Sequence, residues 1–147
     1  YIFLCYMDQT PITIETTINA PLETVWDYWT KPEHIVNWAF ASDDWEAPFA
    51  ENAVQVGGRF NPQMSAKDKS TSFNFTGTYT MVNNHERIEY TMDGDDHRHV
   101  KVEFLEVPGG VHVIETFDPE ATNPIEKQRA GWQAILDNFK KYVEANK

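Results

Sequence analysis

Apolar residues along this chain fall into two periods, one of about two and one of about three to four. Ile12 to Asn19 alternates in part and is rich in isoleucine and threonine, which predicts a strand. Asn19-Ala20-Pro21 then predicts a helix start. Asn19 or Ala20 stands near the N-cap, Pro21 suits the first turn, and Glu23 suits the positive end of the dipole. Val25, Trp26 and Trp29 give that helix an apolar face, and Pro32 to Asn37 reads as a second short helix. From Ala39 to Gln55 no period holds. Phe40, Trp45 and Phe49 stand there among Asp43, Asp44, Glu46 and Glu51. Aromatic side chains in a loop need something to pack on, so this segment is expected to fold across a groove.

Gly57-Gly58 breaks the chain before a strand from Arg59 to Ala66, and Lys67-Asp68-Lys69-Ser70 makes a turn. Ser72 to Val82 reads as one strand with Phe73, Phe75, Gly77, Tyr79 and Met81 on its apolar face. Ile88, Tyr90 and Met92 alternate in the next strand, Val100, Val102 and Phe104 in the one after, and Val111 to Phe117 closes the series. Asn83-Asn84-His85, Asp93-Gly94-Asp95-Asp96 and Pro108-Gly109-Gly110 supply the turns. Pro124 to Asn146 is a long helix with Asn123 as its expected N-cap. Trp132, Ile135, Leu136, Phe139 and Val143 recur along one face. Gly131 lies in its middle at a cost of about 1 kcal/mol against alanine. Either a close approach by another group or an ordinary strand contact would account for it. The order predicts an α+β fold, a curved antiparallel sheet of six strands wrapped around a long C-terminal helix. Two short helices follow the first strand.

Composition separates a coat from an interior. The 147 residues carry 12 basic and 23 acidic side chains, a formal charge of −11. That argues against nucleic acid and against an anionic membrane surface, both of which need lysine and arginine. Nine Phe, six Tyr and five Trp argue against a disordered acidic chain. Cys5 is the sole cysteine, so no internal disulfide forms, and a cytoplasmic setting is expected. Residues 1–7, apolar up to Tyr6, are expected to be a non-native or disordered extension ahead of a single domain over 8–147.

Several stretches resemble a known family. They are Ala20-Pro21-Leu22-Glu23-Thr24-Val25-Trp26-Asp27-Tyr28-Trp29-Thr30, Pro32-Glu33-His34 leading to Trp38, and Val56-Gly57-Gly58-Arg59-Phe60. Further on come Gly77-Thr78-Tyr79, Glu115-Thr116-Phe117-Asp118, and Gly131-Trp132-Gln133-Ala134-Ile135-Leu136-Asp137-Asn138-Phe139. In this order and spacing, over about residues 10–145, the chain is similar to the activator-of-heat-shock-protein-90-ATPase homologues of the START/Bet v-like (SRPBCC) superfamily. The resemblance implies a helix-grip fold with a deep cavity between sheet and long helix. Relatives use that cavity for lipids, hormones, polyketides or other apolar molecules. Some are enzymes, and the namesake eukaryotic domain is a co-chaperone. Fold alone does not carry function.

The residues themselves offer a binding inventory. Trp38, Phe40, Trp45 and Phe49 would roof a groove. Phe60, Met64, Phe73, Phe75, Tyr79, Tyr90, Met92, Phe104 and Phe117 would line the sheet, and Trp132, Ile135 and Phe139 the helix. The same side chains could equally plug the space as solid core. Gln128 faces either the cavity mouth or solvent. Glu115 faces inward if Val111, Val113 and Phe117 do, and a carboxyl group there would be desolvated and fit for acid–base work or for anchoring a ligand. The alternative puts Ile114 inside and Glu115 in water. Tyr79 and Tyr90 could each offer a hydroxyl to a ligand or bond only within the core.

Other chemistry finds little support. His97 and His99 share a strand face, but Asp95 and Asp96 beside them suit a polar strand entry better than a metal site. No nucleophile turn or phosphate-cradling loop occurs, and no metal or cofactor is expected. The leading expectation is a small-molecule binding protein for an apolar or amphipathic ligand. One alternative is a cyclase-, dehydratase- or hydrolase-type enzyme using Glu115 and a tyrosine such as Tyr79. A second is a co-chaperone-like interaction module. Homodimer formation is left open.

Overall fold

The computed structural model describes residues 10–40, 42–70, 72–74, 76–93, 98–120 and 123–146. Residues 1–7, Phe75 and His97 lie outside the described residues, as do the side chains of Phe49 and Phe73. Strand β1 (Ile12–Ile18) leads into helices α1 (Leu22–Thr30) and α2 (Pro32–Ile35). Strands β2 (Trp45–Asn52), β3 (Arg59–Ala66), β4 (Ser72–Asn74), β5 (Gly77–Asn83), β6 (Arg87–Met92), β7 (His99–Val107) and β8 (Gly110–Phe117) follow, and α3 (Ile125–Asn146) ends the chain. All the strands join one antiparallel sheet in the order β1-β8-β7-β6-β5-β3-β2, with β4 beside β3.

Strands β6, β7 and β8 carry the clearest alternation and form the middle of the sheet. Their inner face holds Ile88, Tyr90, Met92, Val100, Val102, Phe104, Val111, Val113, Glu115 and Phe117, all buried. Their outer face is charged and cross-linked: Arg87 Nε lies 3.2 Å from Glu89, and His99 Nε2 lies 2.9 Å from the same carboxylate. One buried and one wet face is what strict alternation in an antiparallel sheet produces.

Among the described residues the sheet has eight strands where six were expected. The segment from Ala39 to Gln55, expected as a loop, contains β2. Edge strands need pair on one side only, so β2 tolerates Pro48 and the acidic residues Glu46 and Glu51, and its register shifts between Glu46 and Phe49. The single strand expected over Ser72–Val82 is two, β4 on the far half of β3 and β5 on its near half. A second register shift lies between Tyr79 and Met81. It passes the inward role from Tyr79 to Val82, so Met81 is not on the inner face and its sulfur instead accepts from Arg87 Nε.

Helix α3 buries Leu136, Phe139 and Val143. Its last turn is tied to the first helices: Tyr28 Oη donates to the Asn146 carbonyl at 2.7 Å, and His34 Nδ1 bonds Tyr142 Oη at 2.7 Å. The α1 cap is Pro21 without a side-chain bond, and Asn123, expected as a cap, donates to Glu120 instead. Gly131 answers to neither expected cause. A Cβ built on it meets no heavy atom within 4 Å. No helix among the described residues is long and apolar enough to cross a membrane.

Candidate functional site

The helix does not cover the sheet evenly. It lies along β1 at one edge and makes no comparable approach to β2, β3 or β5 at the other. The aromatic interior divides accordingly. Near α1 it is solid: Trp26 and Trp29 meet Phe104 edge-on at 5.2 and 5.8 Å, and Phe139 is held edge-on by Trp29 at 4.9 Å and Trp38 at 4.8 Å. Toward β2 and β3 it opens into a cavity of about 370 Å³. Plug and pocket therefore coexist, with Trp29 and Trp38 as the partition between them.

Of the candidate site residues, Trp38, Trp45, Phe60, Met64, Tyr79, Tyr90, Glu115, Trp132 and Ile135 line this cavity, as does Phe40. Trp38 is fixed by its indole N–H, which donates to the Tyr28 carbonyl at 2.8 Å. Asn138 of α3 donates to the Trp38 carbonyl at 3.0 Å, so the roof is fastened to the helix. Trp132 stacks on Phe117 at 3.9 Å and 9°, which covers Phe117 and leaves Trp132 as the wall. Phe60 packs edge-on against Tyr90 at 4.4 Å and sits over Gly77, where a Cβ would come within 2.6 Å of the ring.

Three candidates lie elsewhere. Phe104 belongs to the solid half, for the reason just given. Met92 is buried but not on the cavity wall. Gln128 is buried and faces neither cavity nor solvent. Its Oε1 accepts from the Glu120 N–H at 2.8 Å, and its Nε2 donates to the carbonyls of Asn123 at 2.7 Å and Glu120 at 3.1 Å. It clamps the entry to α3.

The inner wall carries the polar groups. Tyr79 Oη donates to Asn52 Oδ1, and Asn52 Nδ2 donates to the Thr30 carbonyl at 2.6 Å, which joins β5, β2 and the end of α1. Asn52 had no sequence signal, since its strand was not visible. Glu115 points inward at 5% exposure, opposite Ile14 on β1 and Val102 on β7. No described residue hydrogen-bonds its carboxyl, and burial alone pushes its pKa up to about 8. Burial likewise raises Tyr79 and Tyr90, and the nearby Glu115 charge raises Tyr90 further. The site can thus present neutral hydroxyl and carboxyl groups at neutral pH. Among the described residues, no three His, Cys, Asp or Glu side chains gather as a metal site.

Comparison with known proteins places this geometry. Residues 19–144 match the family model described as Activator of Hsp90 ATPase homolog 1-like protein. The solution structure of an AHSA1-like protein from Aeromonas hydrophila is 47% identical, with a TM-score of 0.87 over 92% of this chain and 93% of that one. A protein from Cytophaga hutchinsonii is 45% identical, with a TM-score of 0.78 over 95% and 94%. A Chromobacterium violaceum protein shares the fold at 22% identity and a TM-score of 0.82 over 92% and 98%. No curated protein matches.

Proposed function

The chain belongs to the Activator of Hsp90 ATPase homolog 1-like family, and we propose that it binds a small apolar or amphipathic molecule between its sheet and C-terminal helix. The observation that carries this reading is the cavity itself. At about 370 Å³ it lies within the range of roughly 300–1,000 Å³ usual for ligand sites. Its wall is mostly aromatic and aliphatic, with a few polar groups gathered on the sheet side, which is the composition of a site that takes an apolar body and orients one polar end. Gly131 supports it as well. A helix glycine with open space beside it costs stability and fills nothing, and here that space is part of the cavity.

The test uses the neutral fluorophore N-phenyl-1-naphthylamine. Saturable one-to-one binding with a rise in melting temperature is expected. Gly131→Leu, which sends a side chain into the open space, should weaken that binding while the protein stays folded. Absence of saturable binding, or equal binding by the folded Gly131→Leu variant, would refute the reading.

A further inference from the structure

Among the described residues, some buried polar side chains are tied down within the fold, and Asn61 Oδ1 on β3 is buried without a partner but is not on the cavity wall. Thr30 Oγ1 donates to the Trp26 carbonyl at 2.8 Å, and Gln128 makes three hydrogen bonds. Glu115 stands apart. It is 95% buried and lines the cavity, and among the described residues its carboxyl has no hydrogen-bond partner. The Tyr90 hydroxyl also has no hydrogen-bond partner among the described residues, and Tyr90 lines the same cavity. The two positions are connected across β7. Tyr90 pairs with Val100 and Glu115 with Val102, so two valines form the floor between them. A native fold that leaves two polar groups uncommitted beside an open space calls for an explanation.

We propose that Glu115 and Tyr90 form a polar subsite that receives the carbonyl oxygen of a ligand whose apolar body fills the rest of the cavity. A carbonyl oxygen has two lone pairs and can accept from both O–H groups at once, whereas a cationic head would need the carboxyl ionised. With its pKa near 8, Glu115 is mainly the neutral acid at pH 7 and donates. The surroundings do not reverse this. Tyr79 is already bonded to Asn52, Glu51 sits exposed at the rim, β1 and β7 present Ile14 and Val102, and α3 presents Gly131, Trp132 and Ile135. The subsite presupposes that the cavity takes a ligand, so the probes are chosen to separate the two.

The test measures the affinities of 2-acetylnaphthalene, 2-ethylnaphthalene and 1-(2-naphthyl)ethylamine by calorimetry at about pH 6.5 and about pH 9.5. The ketone should bind about tenfold tighter than the ethyl compound at the lower pH, the yield of two hydrogen bonds to otherwise unpaired donors. That preference should collapse at the higher pH, where the ionised carboxylate no longer donates. Glu115→Gln keeps a donor and should keep a preference that no longer depends on pH. Glu115→Leu should bring the ratio close to one, and Tyr90→Phe should lower it. Equal binding of ketone and ethyl compound at the lower pH overturns the subsite while leaving the cavity reading standing. So does a preference that survives at the higher pH in the unaltered protein, or an amine that binds more tightly than the ketone at the lower pH. If none of the three binds, the cavity reading fails and the subsite with it.

Discussion

Replacing Glu115 by glutamine removes a titration that the fold forces on itself. The carboxyl group's ordinary value is 4.5 and its value in the folded protein is about 8. Between these, the folded chain holds a proton that the unfolded chain has released. Stability therefore falls as pH rises, by roughly 1.4 kcal/mol per unit. The contribution is fully present below about pH 4.5, down by about 3 kcal/mol at pH 7, and levels off above about pH 8. The glutamine variant carries the neutral group at every pH. Any fixed cost of the amide shifts its curve without tilting it. What else changes with pH is common to both proteins and cancels in the difference. Urea unfolding followed by tryptophan fluorescence from about pH 5 to about pH 8.5 gives that difference directly. The variant should gain on the parent by about 4 kcal/mol across the interval, about 8–16 °C in melting temperature for a chain of this size. Two stability curves that run parallel would mean that Glu115 ionises freely in the folded state, and the reasoning would fail.

Three further substitutions probe the frame around the site. Gly131→Ala places a methyl group in open space within a helix, so thermal unfolding should show stabilisation of up to about 1 kcal/mol. Gly77→Ala should instead destabilise by roughly 1–3 kcal/mol in urea, because its Cβ comes within 2.6 Å of both the Phe60 ring and the Thr91 carbonyl oxygen, and only the ring can move. Gln128→Ala unfastens the segment before α3 and leaves the half-buried Glu120 N–H and two carbonyls without their partner. It should cost roughly 1–3 kcal/mol, with faster hydrogen exchange at Glu120 and no change in probe binding.

How far the sequence foretells such a site depends on where in the sheet a residue lies. In β6 to β8 each strand has neighbours on both sides and one face turned to the core, so alternation in the sequence survives into the structure. Strand β2 lies at an edge, bends at a register shift and carries a proline, so no alternation marked it, and Asn52 was lost with it. The shift after Tyr79 likewise misassigned Met81, because one extra residue reverses every later side chain. Gln128 was ambiguous for another reason. Its partners are backbone groups of residues 120 and 123, and no side-chain pattern announces a backbone partner.

Glu115 is the opposite case. Val111, Val113 and Phe117 predict it inward, and a bulge in the strand would have reversed that reading. Strand β8 has none: its register runs unbroken from Val111 to Phe117 against both β1 and β7. With both neighbours locked, turning Glu115 outward would turn Val111, Val113 and Phe117 into water as well. At about 1.5–3 kcal/mol for each large apolar side chain, that loss exceeds the roughly 3 kcal/mol that burying the acid costs at pH 7. The carboxyl is therefore held inside by its neighbours on the strand. Its depth and neutrality persist without a ligand, as a pre-organised polar group in an apolar cavity requires.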